Sequence, residues 1–261
     1  MDLGIGGKTA LVLGAGGGLG GAIATTLAEE GAKVALADHS EDTAKAHAEA
    51  IERVGGTAMA LSWELADLAA IDAKARKVEE ALGPVDILVN ITGGPPPTPA
   101  AGNETELWRS EFEAMILSVI AITDRVLPGM RARGWGRIVT SASSGVVSPI
   151  PNLGISNALR MTLLGWSKTL AREVAGEGVT ANIVVPGRIA TKRVRFLDEK
   201  KAEREGRTPE EVERASLAAI PAGRYGEPRE YADAVAFLAS KRAAYITGSI
   251  LRVDGGLIAS I

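Results

Sequence analysis

Short apolar runs alternate with longer stretches of helical period along this chain. The runs Thr9–Leu13, Lys33–Ala37, Thr57–Leu61, Asp86–Val89, Arg137–Ser141, Thr180–Val185 and Ser249–Val253 have the length of strands. Most carry apolar residues at consecutive rather than alternate positions, the pattern of a strand buried on both faces of a parallel sheet. Between them, apolar positions recur every three or four residues. That spacing predicts helices over about Leu19–Glu30, Glu41–Val54, Asp67–Leu82, Glu104–Arg133, Leu153–Ala175, Arg195–Ala219 and Pro228–Leu238, the long fourth one irregular near Pro128. Strict strand–helix alternation predicts an α/β protein whose doubly wound parallel sheet of about seven strands carries helices on both faces. No shift in composition divides the chain, so residues 1–261 are read as a single domain, a size at which one α/β unit buries most of its apolar surface.

Two segments depart from the alternation. Gly93-Gly94-Pro95-Pro96-Pro97-Thr98-Pro99 reads as a stiff loop, because proline fixes φ and withholds a donor. Lys192–Arg214 holds eight basic and seven acidic residues, which predicts a solvated helical hairpin laced by i,i+4 ion pairs. The wider stretch 192–220 is expected to be a charged helical insertion that can serve as a lid over a ligand.

Composition removes several classes of chemistry. The chain has 46 % apolar and 23 % charged residues, near globular averages, so wholesale disorder is excluded. It has no cysteine, which excludes disulfides, thiolate nucleophiles and iron–sulfur clusters, and only two histidines, His39 and His47, so no metal site is expected. A net charge of −3 gives no footprint for nucleic acid or for an anionic membrane. No apolar run approaches a membrane span, and the N-terminus lacks the layout of a signal peptide, so the expected location is cytoplasmic.

The strongest chemical signal follows the first strand, in Gly14-Ala15-Gly16-Gly17-Gly18-Leu19-Gly20-Gly21. Glycine permits positive φ and lets a phosphate approach without a Cβ in the way. The helix behind it offers free N–H groups and a positive dipole end to a pyrophosphate. Two frames fit, Gly14-xxx-Gly18-x-Gly20 and Gly16-x-Gly18-xx-Gly21, and the position between strand and helix makes this a dinucleotide (Rossmann) turn. Asp38 ends the second strand about 20 residues on, where a carboxylate accepts the adenosine ribose hydroxyls and repels a 2′-phosphate. NAD(H) is favoured, with NADP(H) as the alternative if a protonated His39 accommodates that phosphate. Asp38 can also be read as a cap for the next helix, a job open to Ser40.

These residues resemble the short-chain dehydrogenase/reductase family, nearly end to end and in the 3-oxoacyl reductase manner. The first glycine frame is similar to the family's TGxxxGxG turn, with Leu13 in place of the threonine. Leu88-Val89-Asn90-Ile91-Thr92-Gly93 resembles LVNNAG, Pro186-Gly187-Arg188-Ile189-Ala190-Thr191 resembles the PGxIxT turn, and Tyr245–Gly248 with Val253–Gly256 resembles the C-terminal signature. The resemblance implies cofactor contacts from Gly14, Gly16, Gly17, Gly18, Leu19, Gly20, Asp38, His39, Glu64, Leu65, Asn90, Gly93, Arg160, Pro186, Gly187, Ile189 and Thr191. Glu64 and Leu65 would then lie near the adenine, and Thr191 near the carboxamide or pyrophosphate.

The family's catalytic Asn-Ser-Tyr-Lys set falls on Met115, Ser143, Ser156 and Arg160 when the motifs are counted through without gaps. The chain's tyrosines are Tyr225, Tyr231 and Tyr245, all beyond the sixth strand. A serine hydroxyl is a poor general acid and arginine stays protonated, so neither replaces a tyrosine–lysine pair directly. Ser156 and Arg160 stand one turn apart and, with Ser143, can form an electrophilic clamp on a carbonyl. The bland alternatives are that the serines bond each other or water and that Arg160 pairs with a carboxylate. Arg188 can add positive charge or bind an acidic substrate.

Three functions stay open on this reading. The favoured one is an NAD(P)-dependent oxidoreductase moving hydride between the cofactor and a small-molecule carbonyl or secondary alcohol by an altered proton route. The second is a nucleotide-binding pseudoenzyme or sensor subunit, and the third, weakest, is non-redox chemistry. The resemblance and the apolar stretches Ala114–Ile122 and Gly255–Ile261 predict a homotetramer, with a dimer as fallback.

Overall fold

The computed structural model describes residues 2–261 and contains one sheet of seven parallel strands in the order β3-β2-β1-β4-β5-β6-β7. The strands are β1 (Thr9–Leu13), β2 (Lys33–Asp38), β3 (Thr57–Ser62), β4 (Val85–Asn90), β5 (Gly136–Ser141), β6 (Val179–Pro186) and β7 (Ile250–Val253). Every residue of β1, β4 and β5 is buried, as their unbroken apolar runs require. Register is direct: Val12 lies beside Leu36 of β2 and beside Val89 of β4.

Helices cover both faces. On one face α1 (Gly18–Glu29), α2 (Glu41–Arg53) and α9 (Pro228–Leu238) bury Ile23, Leu27, Ile51, Tyr231 and Val235 against the sheet. On the other, α3 (Ile71–Leu82), α5 (Ser118–Ala132) and α6 (Gly154–Val174) bury Val78, Ile122, Val126, Leu163 and Leu170. After β3 the chain returns to the opposite side of β1 and winds the other way. The carboxyl ends of β1 and β4 therefore flank a topological switch point, where this fold opens a crevice for ligands.

The expected long helix is two. α4 (Thr105–Phe112) passes through a wide turn at Glu113–Leu117 into α5. The irregularity sits there and not at Pro128. Pro128 is exposed, as is Asp124, whose carbonyl loses the N–H that proline lacks, so water can serve that carbonyl and the helix continues. In the wide turn, Met115 and Ile116 face the core and Ser118 Oγ donates to the carbonyl of Ala114 at 2.6 Å. The segment expected as helix from Asp67 begins as a short tight turn, Leu68–Ala70, in which Asp67 accepts from the Ala70 N–H.

The charged segment forms α7 (Lys192–Glu205) and α8 (Pro209–Ala219). Gly206 in the left-handed region ends α7, and a reciprocal capping box between Thr208 and Glu211 starts α8. The ion pairs within it are Lys200–Glu203, Arg204–Glu205 and Arg207–Glu205, so the spacings are three residues or fewer, not four. Nor is the hairpin wholly solvated: Asp198, Ala202 and Val212 are buried beneath it.

Candidate functional site

The turn after β1 is shaped by backbone approaching backbone. Gly14 has φ +65°, and a Cβ on it would lie 2.6 Å from the Ile91 carbonyl oxygen. A Cβ on Gly20 would lie 2.2 Å from the Gly14 carbonyl oxygen, and one on Gly16 would strike Thr43 and Asp38. Gly17 is less constrained, its nearest neighbour at 3.5 Å. A Cβ on Gly18 would lie 3.1 Å from Thr191, which caps α7, and one on Gly21 of the second frame would strike the His47 ring of α2. Position 17 caps α1 without a side chain, and the first turn of α1 has no acid. Its N–H groups and positive dipole end are thus left for an anion.

Asp38 closes one side of this turn. Its Oδ2 accepts the Gly16 N–H at 2.9 Å and its Oδ1 accepts the Ser40 N–H at 3.0 Å. The same Oδ1 lies 3.0 Å from Nδ1 of the mostly exposed His39. Asp38 therefore organises the backbone before α2, while the Ser40 side chain makes no capping bond. A carboxylate has about four acceptor sites, so room remains for ribose hydroxyls. Glu64 is exposed and Leu65 half-buried just beyond β3, along the same carboxyl edge. At the end of β4, Asn90 donates to Thr140 Oγ1 at 3.1 Å, and its buried Oδ1 has no partner among the described residues.

The other half of the site lies beyond β5 and β6. Ser143 Oγ accepts the Gly145 N–H, Ser156 is buried near the start of α6, and no hydrogen bond joins the two serines among the described residues. Arg160, one turn after Ser156, does not pair with a carboxylate. Its guanidinium donates to the carbonyls of Thr92 and Gly93 and to Thr92 Oγ1. Burial, helped by Arg193, holds its pKa down to about 10, so it remains a cation at neutral pH. Met115 is packed in the core. Pro186 ends β6; a Cβ on Gly187 would lie 2.5 Å from Asp254 Cα, which explains the close join to the C-terminal turn. Ile189 is buried, and Thr191 Oγ1 accepts the Val194 N–H.

Arg188 faces a partner and not open solvent. It donates to Asp198 of α7 and to the Tyr225 hydroxyl, and Tyr225 in turn donates to Asp198 at 3.0 Å. This ties the turn after β6 to the charged hairpin. Neither of the other tyrosines faces the site. Tyr231 is fully buried, shares a 2.7 Å hydrogen bond with Ser141, and has its phenol pushed well above the ordinary range by burial. Tyr245 is exposed at the surface.

Sequence reasoning passed over two charged residues here. Arg193, in the first turn of α7, reaches the Pro95 carbonyl at 2.8 Å. Glu111, on α4 one turn before Met115, feels the positive charge of both Arg160 and Arg193, while burial raises its carboxyl above the ordinary value. The available signal for Arg193 was a cation placed at a helix N-terminus; Glu111 had none.

Glycines that admit no Cβ, an uncapped helix start and a carboxylate at the end of β2 fit a dinucleotide at the switch point. Fold and site together define an NAD(P)-dependent oxidoreductase class. A family model described as enoyl-(acyl carrier protein) reductase matches residues 14–258. The 3-oxoacyl-(acyl-carrier-protein) reductase FabG of Escherichia coli (strain K12) is 41 % identical over 254 residues, 96 % of this chain and 97 % of that protein. L-sorbose reductase from Gluconobacter frateurii, solved with NADPH and L-sorbose, superposes with a TM-score of 0.93 at 31 % identity over 100 % of both chains. A 7α-hydroxysteroid dehydrogenase solved with NADH and 7-oxo glycochenodeoxycholic acid gives 0.89 at 30 % identity, covering 98 % of this chain and 96 % of that one. The chain belongs to the short-chain dehydrogenase/reductase family. Among the described residues, no helix is long and apolar enough to cross a membrane.

Proposed function

We propose that this protein is a carbonyl reductase that works without the family's tyrosine–lysine pair. The observation that carries the reading is the conjunction of a sterically complete dinucleotide turn with a fixed cation, Arg160, at the position of the family's lysine. The cofactor would supply hydride chemistry from its nicotinamide ring. Gly14, Gly16, Gly17, Gly18, Leu19 and Gly20 would hold its pyrophosphate, with Asp38 at the ribose and Glu64 and Leu65 toward the adenine. Asn90, Gly93, Pro186, Gly187, Ile189 and Thr191 would line the nicotinamide end. Arg160 and the Ser143 hydroxyl polarise the substrate carbonyl and stabilise negative charge that develops on its oxygen. Ser156 adds a donor, and solvent completes protonation.

NAD(H) is the favoured cofactor, because Asp38 faces the ribose side of the turn with acceptor capacity to spare; NADP(H) is the alternative, supported by the NADPH-bound neighbour. Residues 192–220 act as a lid, held to the site by the Arg188–Asp198–Tyr225 cluster. The edge strand β7 leaves Ile250 and Leu251 exposed beside a cavity of about 300 Å³ lined by Leu164, Lys168 and Gly248. That surface supports burial against further copies, as a tetramer or a dimer.

A second reading is a nucleotide-binding subunit without turnover, favoured by the buried, committed state of Tyr231. Titration with NAD, NADH, NADP and NADPH, followed by a panel of ketones and 3-oxoacyl thioesters, separates the two. Cofactor binding with turnover supports the reductase, and binding without turnover supports the subunit.

A further inference from the structure

Charged side chains from three helices converge at the substrate end of the site, and their charges do not balance. Arg160 from α6 and Arg193 from α7 both reach the loop at Gly94: a Cβ built there would lie 3.4 Å from an Nη2 of one and 3.9 Å from an Nη2 of the other. Backbone carbonyls fix each guanidinium, those of Thr92 and Gly93 for Arg160 and that of Pro95 for Arg193. Neither is ion-paired among the described residues, in contrast to Arg188, which Asp198 neutralises. Glu111 is the carboxylate that feels both cations. Two guanidiniums against one carboxylate leave a net positive charge in a partly desolvated place, where charge acts strongly.

The position of Arg193 also opposes the helix that carries it. Lys192, Arg193 and Arg195 occupy the start of α7, where the first turn has no acidic residue and the helix dipole disfavours cations. Departures from a local rule are expected at functional positions, and the Pro95 carbonyl and the Phe196 ring, 5.5 Å away, hold this cation without neutralising it. The cofactor pyrophosphate is one rival anion, but the glycine turn and the uncapped start of α1 already answer it.

We infer that Arg160 and Arg193 form a subsite for a carboxylate carried a few bonds from the reacting carbonyl, so that the preferred substrates are oxo acids and not neutral ketones. The inference rests on the reductase reading and gives its substrate class. Arg160 lies nearer the carbonyl, and Arg193, at the exposed rim, takes the carboxylate through its planar fork of donors. The stiff loop Gly93–Pro99 holds the carbonyls that aim both guanidiniums, and Gly94 leaves the space between them open.

Isothermal calorimetry with acetoacetate and levulinate, each against its methyl ester, tests this. The titrations use the full chain, with and without saturating oxidised cofactor, as wild type, Arg193→Gln and Arg193→Lys. We expect each acid to bind wild type at least about tenfold more tightly than its ester. Arg193→Gln should bring that ratio within about twofold, with cofactor affinity and melting temperature unchanged, and Arg193→Lys should retain part of the preference. Equal binding of acid and ester to wild type, or a preference that survives Arg193→Gln, overturns the inference. A parallel loss of cofactor affinity in Arg193→Gln also overturns it, by assigning Arg193 to the pyrophosphate. Failure of the cofactor itself to bind wild type counts against the reductase reading, and the cofactor-free titrations still report on the subsite.

Discussion

Around the turn after β1 the chain is shaped by backbone against backbone, whereas around Arg160 it is shaped by side chains reaching across from separate helices. In the first region a missing Cβ is the functional feature: Gly14 and Gly20 admit nothing larger against Ile91 and Gly14 carbonyls. In the second, Arg160 holds Thr92 and Gly93 and Arg193 holds Pro95, each across a long stretch of sequence, and Arg188 holds Asp198 of α7. Steric requirements of the first kind tolerate almost no change. Side-chain roles of the second kind can be reassigned while the frame stays, and that is how one fold hosts altered chemistry.

The largest effect expected from breaking this contrast is at Gly20. Gly20→Ala drives a Cβ into the Gly14 carbonyl, so a loss of about 1–3 kcal/mol in stability and at least roughly tenfold in cofactor affinity is expected. Gly17→Ala, three residues earlier, where a Cβ would have its nearest neighbour at 3.5 Å, should leave stability nearly unchanged. Denaturant melts on the pair check this; equal loss of stability from both would mean the turn is not limited by the Gly20 approach. Next in size is Asp38→Asn, which should shift the NADH-to-NADPH affinity ratio by about tenfold toward NADPH, since a neutral amide no longer repels a 2′-phosphate. Side-by-side titrations read it directly.

The smallest effect separates the two regions by pH. Arg160 is a cation below about 10, so its electrostatic contribution to substrate binding should hold through neutral pH and fall as pH rises through about 10. Its depressed value also means the unfolded chain binds that proton more tightly. Arg160 therefore costs stability at neutral pH, and that cost diminishes as pH rises from about 10 toward the ordinary 12.5. Cofactor binding at the glycine turn uses backbone N–H groups and should show no such midpoint. A profile of substrate KM against cofactor Kd from pH 7 to about 10.5 measures both.

Much of the fold was legible because buried parallel strands are apolar at consecutive positions, and all seven fell within a residue or two of their observed bounds. The glycine turn was legible for the same local reason, since a strand, a glycine cluster and a helix are contiguous. What was hidden depended on distance. No periodicity places Glu111 opposite Arg160 and Arg193, because those residues sit on helices far apart in the chain, and none places Asp198 of α7 on Arg188, because that pair joins a helix to an irregular turn. The break in the long helix was misplaced to Pro128 because proline is visible in a sequence, while solvent access to the Asp124 carbonyl is not.

The central claim is that a site built on Ser143, Ser156 and Arg160 reduces a carbonyl without a tyrosine. Single-turnover oxidation of pre-bound NADH or NADPH, on the parent and on the triple variant Met115→Asn, Ser156→Tyr, Arg160→Lys, tests it most directly. The carbonyl panel should include acetoacetate. The account predicts turnover by the parent at a rate well above the protein-free background, and a drop of at least about tenfold in Arg160→Met at saturating cofactor. A parent that binds cofactor yet leaves it unoxidised, while the triple variant oxidises it, would contradict the account and establish a disarmed site.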